Sequence, residues 1–220
     1  MPPEPSSAPV VNAPAEALAE ALAPWRSPLS RALHRNRAQP FARYLQLATV
    51  RPEGTPANRT IVFRGFLADT NQLMFICDRR SEKTDHILQN PAAEACWYFT
   101  KTREQFRLSG RLTLVTAEPD AAEQAGQQAR HTVWQNISAN AKIQFAWPHP
   151  KSPRADDDAF SPPAPDEQTP PPTFCLLLLT VHNVDHLALR GDPQNRTLYE
   201  LTRETSTDVA QDWRTVRVNP

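Results

Sequence analysis

The chain has 220 residues with 24 basic and 24 acidic side chains, so it is long enough to bury one real core and carries no net charge. The balance argues against nucleic acid as a partner, because a duplex-binding domain collects a basic excess on one face. Three cysteines, Cys77, Cys96 and Cys175, are widely spaced in apolar runs and read as buried thiols of a reducing compartment, and no apolar run approaches the ~20 residues of a membrane helix.

Residues 1–24, rich in Pro, Ala, Ser and Glu, are expected to be a disordered leader, with one folded domain over 25–220. Ser27-Pro28 predicts a helix start, with Leu29, Ala32 and Leu33 on one face and a stop before Pro40. Alternation at Leu45, Leu47 and Thr49, a turn over 51–55 and a strand over 59–65 make a hairpin. Residues 73–77 form a short apolar strand, Ser81 caps a helix ending at Asn90-Pro91, and 92–99 is the next strand. Over 105–115, Phe106, Leu108, Gly110, Leu112 and Leu114 alternate with polar residues.

A helical stripe follows, with Ala125, Ala129, Val133, Ile137, Ala141 and Phe145 four apart, predicting one long helix from Pro119 to Trp147-Pro148. The proline- and aspartate-rich segment 149–172 is expected to be a flexible loop. Strands are then predicted over 174–181, 184–189, 196–201 and 213–218. The run 174–181 is apolar on both faces, which suggests that one face meets a partner subunit. This pattern specifies a mainly β fold with flanking helices, a barrel of six or more strands.

Five glycines in all, none in a dinucleotide fingerprint or a phosphate-binding loop, leave side-chain cations and a helix start as the means of holding a phosphate. Arg59 and Arg64 lie five apart and so on opposite faces of a regular strand. Lys83 stands in the first turn of the helix capped by Ser81, where a cation is unfavourable unless an anion binds there too. His182 and His186 lack further ligands at metal spacing, and no metal site is expected. No nucleophile motif is present, and no residue is assigned as a general acid or base.

These residues resemble the FMN-binding, pyridoxamine 5'-phosphate oxidase-like flavoproteins, in particular their oxidase-related branch. The resemblance runs through Arg59, Thr60, Ile61, Val62, Phe63 and Arg64, the last standing where lysine is usual. It continues through Ile76-Cys77, Ser81 and Lys83 of the phosphate turn, Gln105, and Arg196 of the segment Arg196-Thr197-Leu198-Tyr199. It implies a split β-barrel binding FMN at a homodimer interface. Arg59, Lys83 and Arg196 would take the phosphate and ribityl side, Gln105 the polar flavin edge, and the backbone of 61–63 the ring. It also implies an oxidoreductase acting on a small molecule, while the neutral charge, the buried thiols and the lack of a membrane-length run lead to the expectation of a cytoplasmic protein with no nucleic-acid or membrane partner. The alternative is a flavin carrier or redox sensor. Departures are specific: Glu82 replaces an arginine of the phosphate turn, with Arg79 or Arg80 as candidate substitutes, and Leu187 replaces a tryptophan beside the flavin. Trp134, Ser138, Asp192 and Gln194 stand where the oxidases bind substrate.

Overall fold

A computed structural model describes residues 22–118, 124–203 and 212–220. Nearly all of the predicted leader and the start of the predicted long helix lie outside these residues. Helix α1 (Arg26–Asn36) precedes strands β1 (Tyr44–Val50), β2 (Pro56–Val62), β3 (Gly65–Phe66) and β4 (Leu73–Asp78). Helix α2 (Glu82–Gln89), β5 (Ala92–Phe99) and β6 (Glu104–Val115) follow, then α3 (Gln124–Asn136) and α4 (Ala139–Lys142). The chain closes with β7 (Phe174–Ala188), β8 (Asn195–Arg203) and β9 (Asp212–Val218).

The strands form one antiparallel sheet in the order β2-β1-β5-β6-β7-β4-β3, with β8 on β7 and β9 on β8, curled into a split β-barrel. The split is built on β7. Its first half pairs with β4, Phe174 to Leu179, while its second half pairs with β8, Asn183 to Ala188, and β6 runs along both halves. The predicted pair of strands over 174–189 is therefore one strand. The register of β6 against β7 jumps from Ser109↔Asn183 to Gly110↔Val181, leaving His182 as the extra residue of a bulge. Gly110 is required there, because a Cβ would lie 1.9 Å from the Thr180 carbonyl oxygen.

The main core fills the barrel with Leu45, Leu47, Phe63, Phe75, Trp97 and Phe106, all buried. Trp25, fully buried, brings α1 onto this core by an edge contact with Trp213 and a tilted contact with Phe66. The N-cap of α1 is Trp25, so Ser27-Pro28 occupies the first turn instead of starting the helix. A second core lies outside the sheet, where Phe174, Leu176 and Leu178 of β7 meet Val133, Trp134, Ile137 and Phe145. Both apolar faces of β7 are thus covered within one chain, which corrects the expectation that one of them needs a partner subunit. The long helix is also corrected. It breaks at Ile137-Ser138, where the Ser138 hydroxyl accepts from the Ala141 amide to start α4, and a 3₁₀ turn over Ile143–Ala146 replaces its last turn.

Candidate functional site

The strand β2 and the chain beyond it shape one wall of a cleft of about 780 Å³, which Arg59, Thr60, Ile61, Val62 and Arg64 all line. The opposite-face conflict between the two arginines disappears because the chain changes partners between them. Phe63 N donates to Arg43 O on the β1 side, whereas Arg64 N donates to Met74 O on β4, and Gly65 follows at φ +131°. That crossing carries Arg64 out of the β2 alternation. Phe63 itself points into the barrel core against Phe66 and Trp97.

Arg59 lines the cleft while held against β1 and its own strand. Its Nη1 lies 3.1 Å from Leu47 O, 2.8 Å from Ala57 O and 2.8 Å from Thr49 Oγ1. Since a guanidinium only donates, Thr49 accepts from Arg59 and its own proton is available to His86 Nδ1, 3.1 Å away. Burial pushes Arg59 and Arg64 below the usual arginine value. The Arg64 Nε is buried without a hydrogen-bond partner among the described residues, and so is Trp147 Nε1 on the facing wall.

Ile76, Cys77 and Asp78 of β4 and Lys83 of α2 also line the cleft. Cys77 lies opposite Cys175 on β7, and that neighbouring thiol together with burial drives the Cys77 thiol well above its ordinary value, so it is an inert packing group. Ser81 is the N-cap of α2 by backbone geometry, yet its hydroxyl makes no cap bond and instead accepts from Lys83 Nζ at 2.7 Å. Arg80 does not stand in for an arginine at position 82. It chelates Asp78, with Nη2 2.6 Å from Oδ2, and donates to the carbonyls of Trp147 and Phe145. The partner of Glu82 is Lys151, to which it is ion-paired.

Gln105 and Arg196 are not among the residues lining this cleft. They flank Leu187 in one row across β6, β7 and β8, and Arg196 is held in two hydrogen bonds by Asp185, at 2.9 and 2.6 Å. The facing wall belongs largely to the segment whose composition suggests a flexible loop. Residues 147–155 run along the cleft as a strap, joined by Gln144, Phe145 and Phe160. The available signal was the two cations, Lys151 and Arg154, in a segment otherwise acidic and rich in proline. The segment beyond the strap is tied to the helices, since Trp134 Nε1 donates to Asp166 O and Lys142 Nζ to Glu167 O. Arg59, Arg64, Lys83, Lys151 and Arg154 line the cleft against a single carboxylate, Asp78, which Arg80 already neutralises.

A cationic cleft of this volume, with buried donors on two walls, fits an anionic aromatic ligand of cofactor size. The profile of the pyridoxamine 5'-phosphate oxidase FMN-binding domain matches residues 22–116. The pyridoxine/pyridoxamine 5'-phosphate oxidase 2 of Arabidopsis thaliana is 35% identical over 201 residues, 90% of this chain and 98% of that protein. A crystal structure of a pyridoxamine 5'-phosphate oxidase-related, FMN-binding protein from Nostoc punctiforme superposes with a TM-score of 0.83 at 55% identity, covering 90% of this chain and 98% of the other. PhzG from Burkholderia lata, solved with tetrahydrophenazine-1-carboxylic acid, shares the fold at a TM-score of 0.69 and 20% identity, over 88% of this chain and 91% of the other.

Proposed function

Because this chain belongs to the pyridoxamine 5'-phosphate oxidase-like family of FMN-binding proteins, we propose that it binds FMN in the β2–β4–α2 cleft and acts as a dimeric FMN-dependent oxidoreductase on a small molecule. The observation that carries the reading is the convergence of Arg59, Arg64 and Lys83 on one cleft, with the Arg64 Nε buried and unpartnered among the described residues. Arg59 and Lys83 take the phosphate, Ser81 orients Lys83, and the 60–62 wall with Ile76 and Cys77 excludes water from the ring. Arg64 supplies positive charge near the ring. When bound, FMN supplies the hydride-accepting chemistry, and the chain supplies orientation and electrostatics. The Gln105–Leu187–Arg196 row lies outside the cleft of its own chain, and a second copy bringing that row to the cleft mouth would complete the site. Among the described residues no helix is long and apolar enough to cross a membrane.

A second reading, a flavin carrier or sensor without turnover, is favoured by Trp134. This residue stands where the oxidases bind substrate, yet here it is fully buried with its Nε1 committed to Asp166 O. The substrate side is therefore built differently from the cofactor side, and a pyridoxal-type phosphate loses a partner. The purified protein should be yellow and release FMN on heating, identified by chromatography. Finding FAD, or no flavin after reconstitution with excess FMN, rejects the cofactor assignment. Anaerobic reduction of the flavin by pyridoxamine 5'-phosphate, pyridoxine 5'-phosphate or NAD(P)H, followed by reoxidation in air, separates the oxidoreductase from the carrier.

A further inference from the structure

The first turn of α2 presents a contradiction on a phosphate site. Glu82 stands beside Lys83, and its charge is felt by Arg59, so a carboxylate occupies the corner where a dianion is to settle. Left alone it would repel the phosphate. It is not alone, because Lys151 crosses from the opposite wall and pairs with it. Lys151 also lines the cleft, as Glu82 does not, so the cation faces the ligand space while the carboxylate stands behind it. An ammonium has three donors and this one spends a single contact on Glu82, leaving two for a ligand.

We propose that Lys151 is a phosphate-binding residue of the cleft, carried by the 147–155 strap and stationed by Glu82, so that the cation absent from position 82 is supplied from across the cleft. The proposal rests on the FMN reading. In this arrangement Arg59 and Lys83 on the barrel side and Lys151 on the strap would together hold the phosphate. The strap is thereby part of the cofactor site instead of a spacer between α4 and β7, and the Glu82–Lys151 pair sets its position before any ligand arrives.

The test compares FMN with riboflavin, which shares the ring and ribityl chain but lacks the phosphate. Fluorescence titration of the full-length apoprotein is carried out on wild type, Lys151→Met and Lys151→Arg. The side chain is 70% exposed, so neither substitution threatens the core. Lys151→Met should weaken FMN binding roughly ten- to a hundredfold, the range of a lost charge-assisted hydrogen bond, and leave riboflavin within about twofold. Lys151→Arg should retain most of the FMN affinity. Wild type that binds FMN, together with a Lys151→Met variant whose FMN affinity is unchanged or falls in parallel with riboflavin, overturns the role of Lys151 and leaves the flavin reading standing. Wild type that binds neither flavin overturns both.

Discussion

Thr49 has no polar role in the sequence pattern, where it is simply the third inward residue of β1. In the fold its hydroxyl is the joint between Arg59 and His86. Replacing it by Val keeps the shape, removes one of the three acceptors of Arg59 Nη1 and leaves His86 Nδ1 without its donor. Thr49→Val should lower stability by about 1–3 kcal/mol, read from chemical denaturation, and weaken FMN binding less than loss of the arginine itself. Arg59→Ala and Lys83→Ala should each weaken FMN binding roughly ten- to a hundredfold in the apoprotein titration. Three of the cations that line the cleft, Arg59, Arg64 and Lys83, were legible in the sequence as candidates, because few other residue types can hold a phosphate without a glycine loop. Their shared direction was not, since Arg64 turns into the cleft through a hydrogen bond to Met74 O, a contact made only in the tertiary fold. Lys151 was illegible for the same reason, lying 69 positions from its partner Glu82.

Among the elements, strands with clean alternation were legible almost to the residue: 92–99 coincides with β5, and 105–115 falls one residue short of β6. The misreadings share a cause. A polar interruption at His182-Asn183 looks like a strand end in the sequence, whereas in the sheet it is one extra residue absorbed by a bulge while pairing with β6 continues. Of the four-apart stripe, Val133, Ile137 and Phe145 are buried, and a serine cap and a 3₁₀ turn place Phe145 as well as a helix does. Two substitutions test these elements. Phe174→Ala, in the outer core between β7 and the helices, should cost about 3–5 kcal/mol in denaturant unfolding. Gly110→Ala should destabilise far more than an ordinary strand substitution, because its Cβ meets the Thr180 carbonyl, a backbone atom that cannot rotate away.

On the scale of the whole molecule, an ionic ladder crosses four strands: Glu94 on β5 meets Arg107 on β6 at 2.8 Å, Arg107 meets Asp185 on β7 at 3.8 Å, and Asp185 meets Arg196 on β8 at 2.6 Å. The Arg107 guanidinium holds the Glu94 carboxyl below its ordinary range. A depressed carboxylate contributes stability that is complete above its unfolded value, about pH 4.3, and is lost as pH falls through the lower folded value. Wild type should therefore lose stability more steeply than Glu94→Gln below about pH 4, measured by denaturation midpoints across that range. The ladder edges a second cleft of about 530 Å³, where Leu198 and Val216, opposite each other on β8 and β9, remain 37% and 40% exposed. Such a face suits a second copy, and Leu198→Asp should shift the protein toward monomer in light scattering and reduce its flavin content together. The position of β7 also bears on the order in which the chain is made. Both β4 and β6 await this one strand, and it leaves the ribosome after them, so until residue 174 emerges the nascent chain displays two unpaired apolar edges. Barrel closure is consequently a late event of synthesis, and a chain stopped at Thr173 is expected to aggregate where the full chain folds.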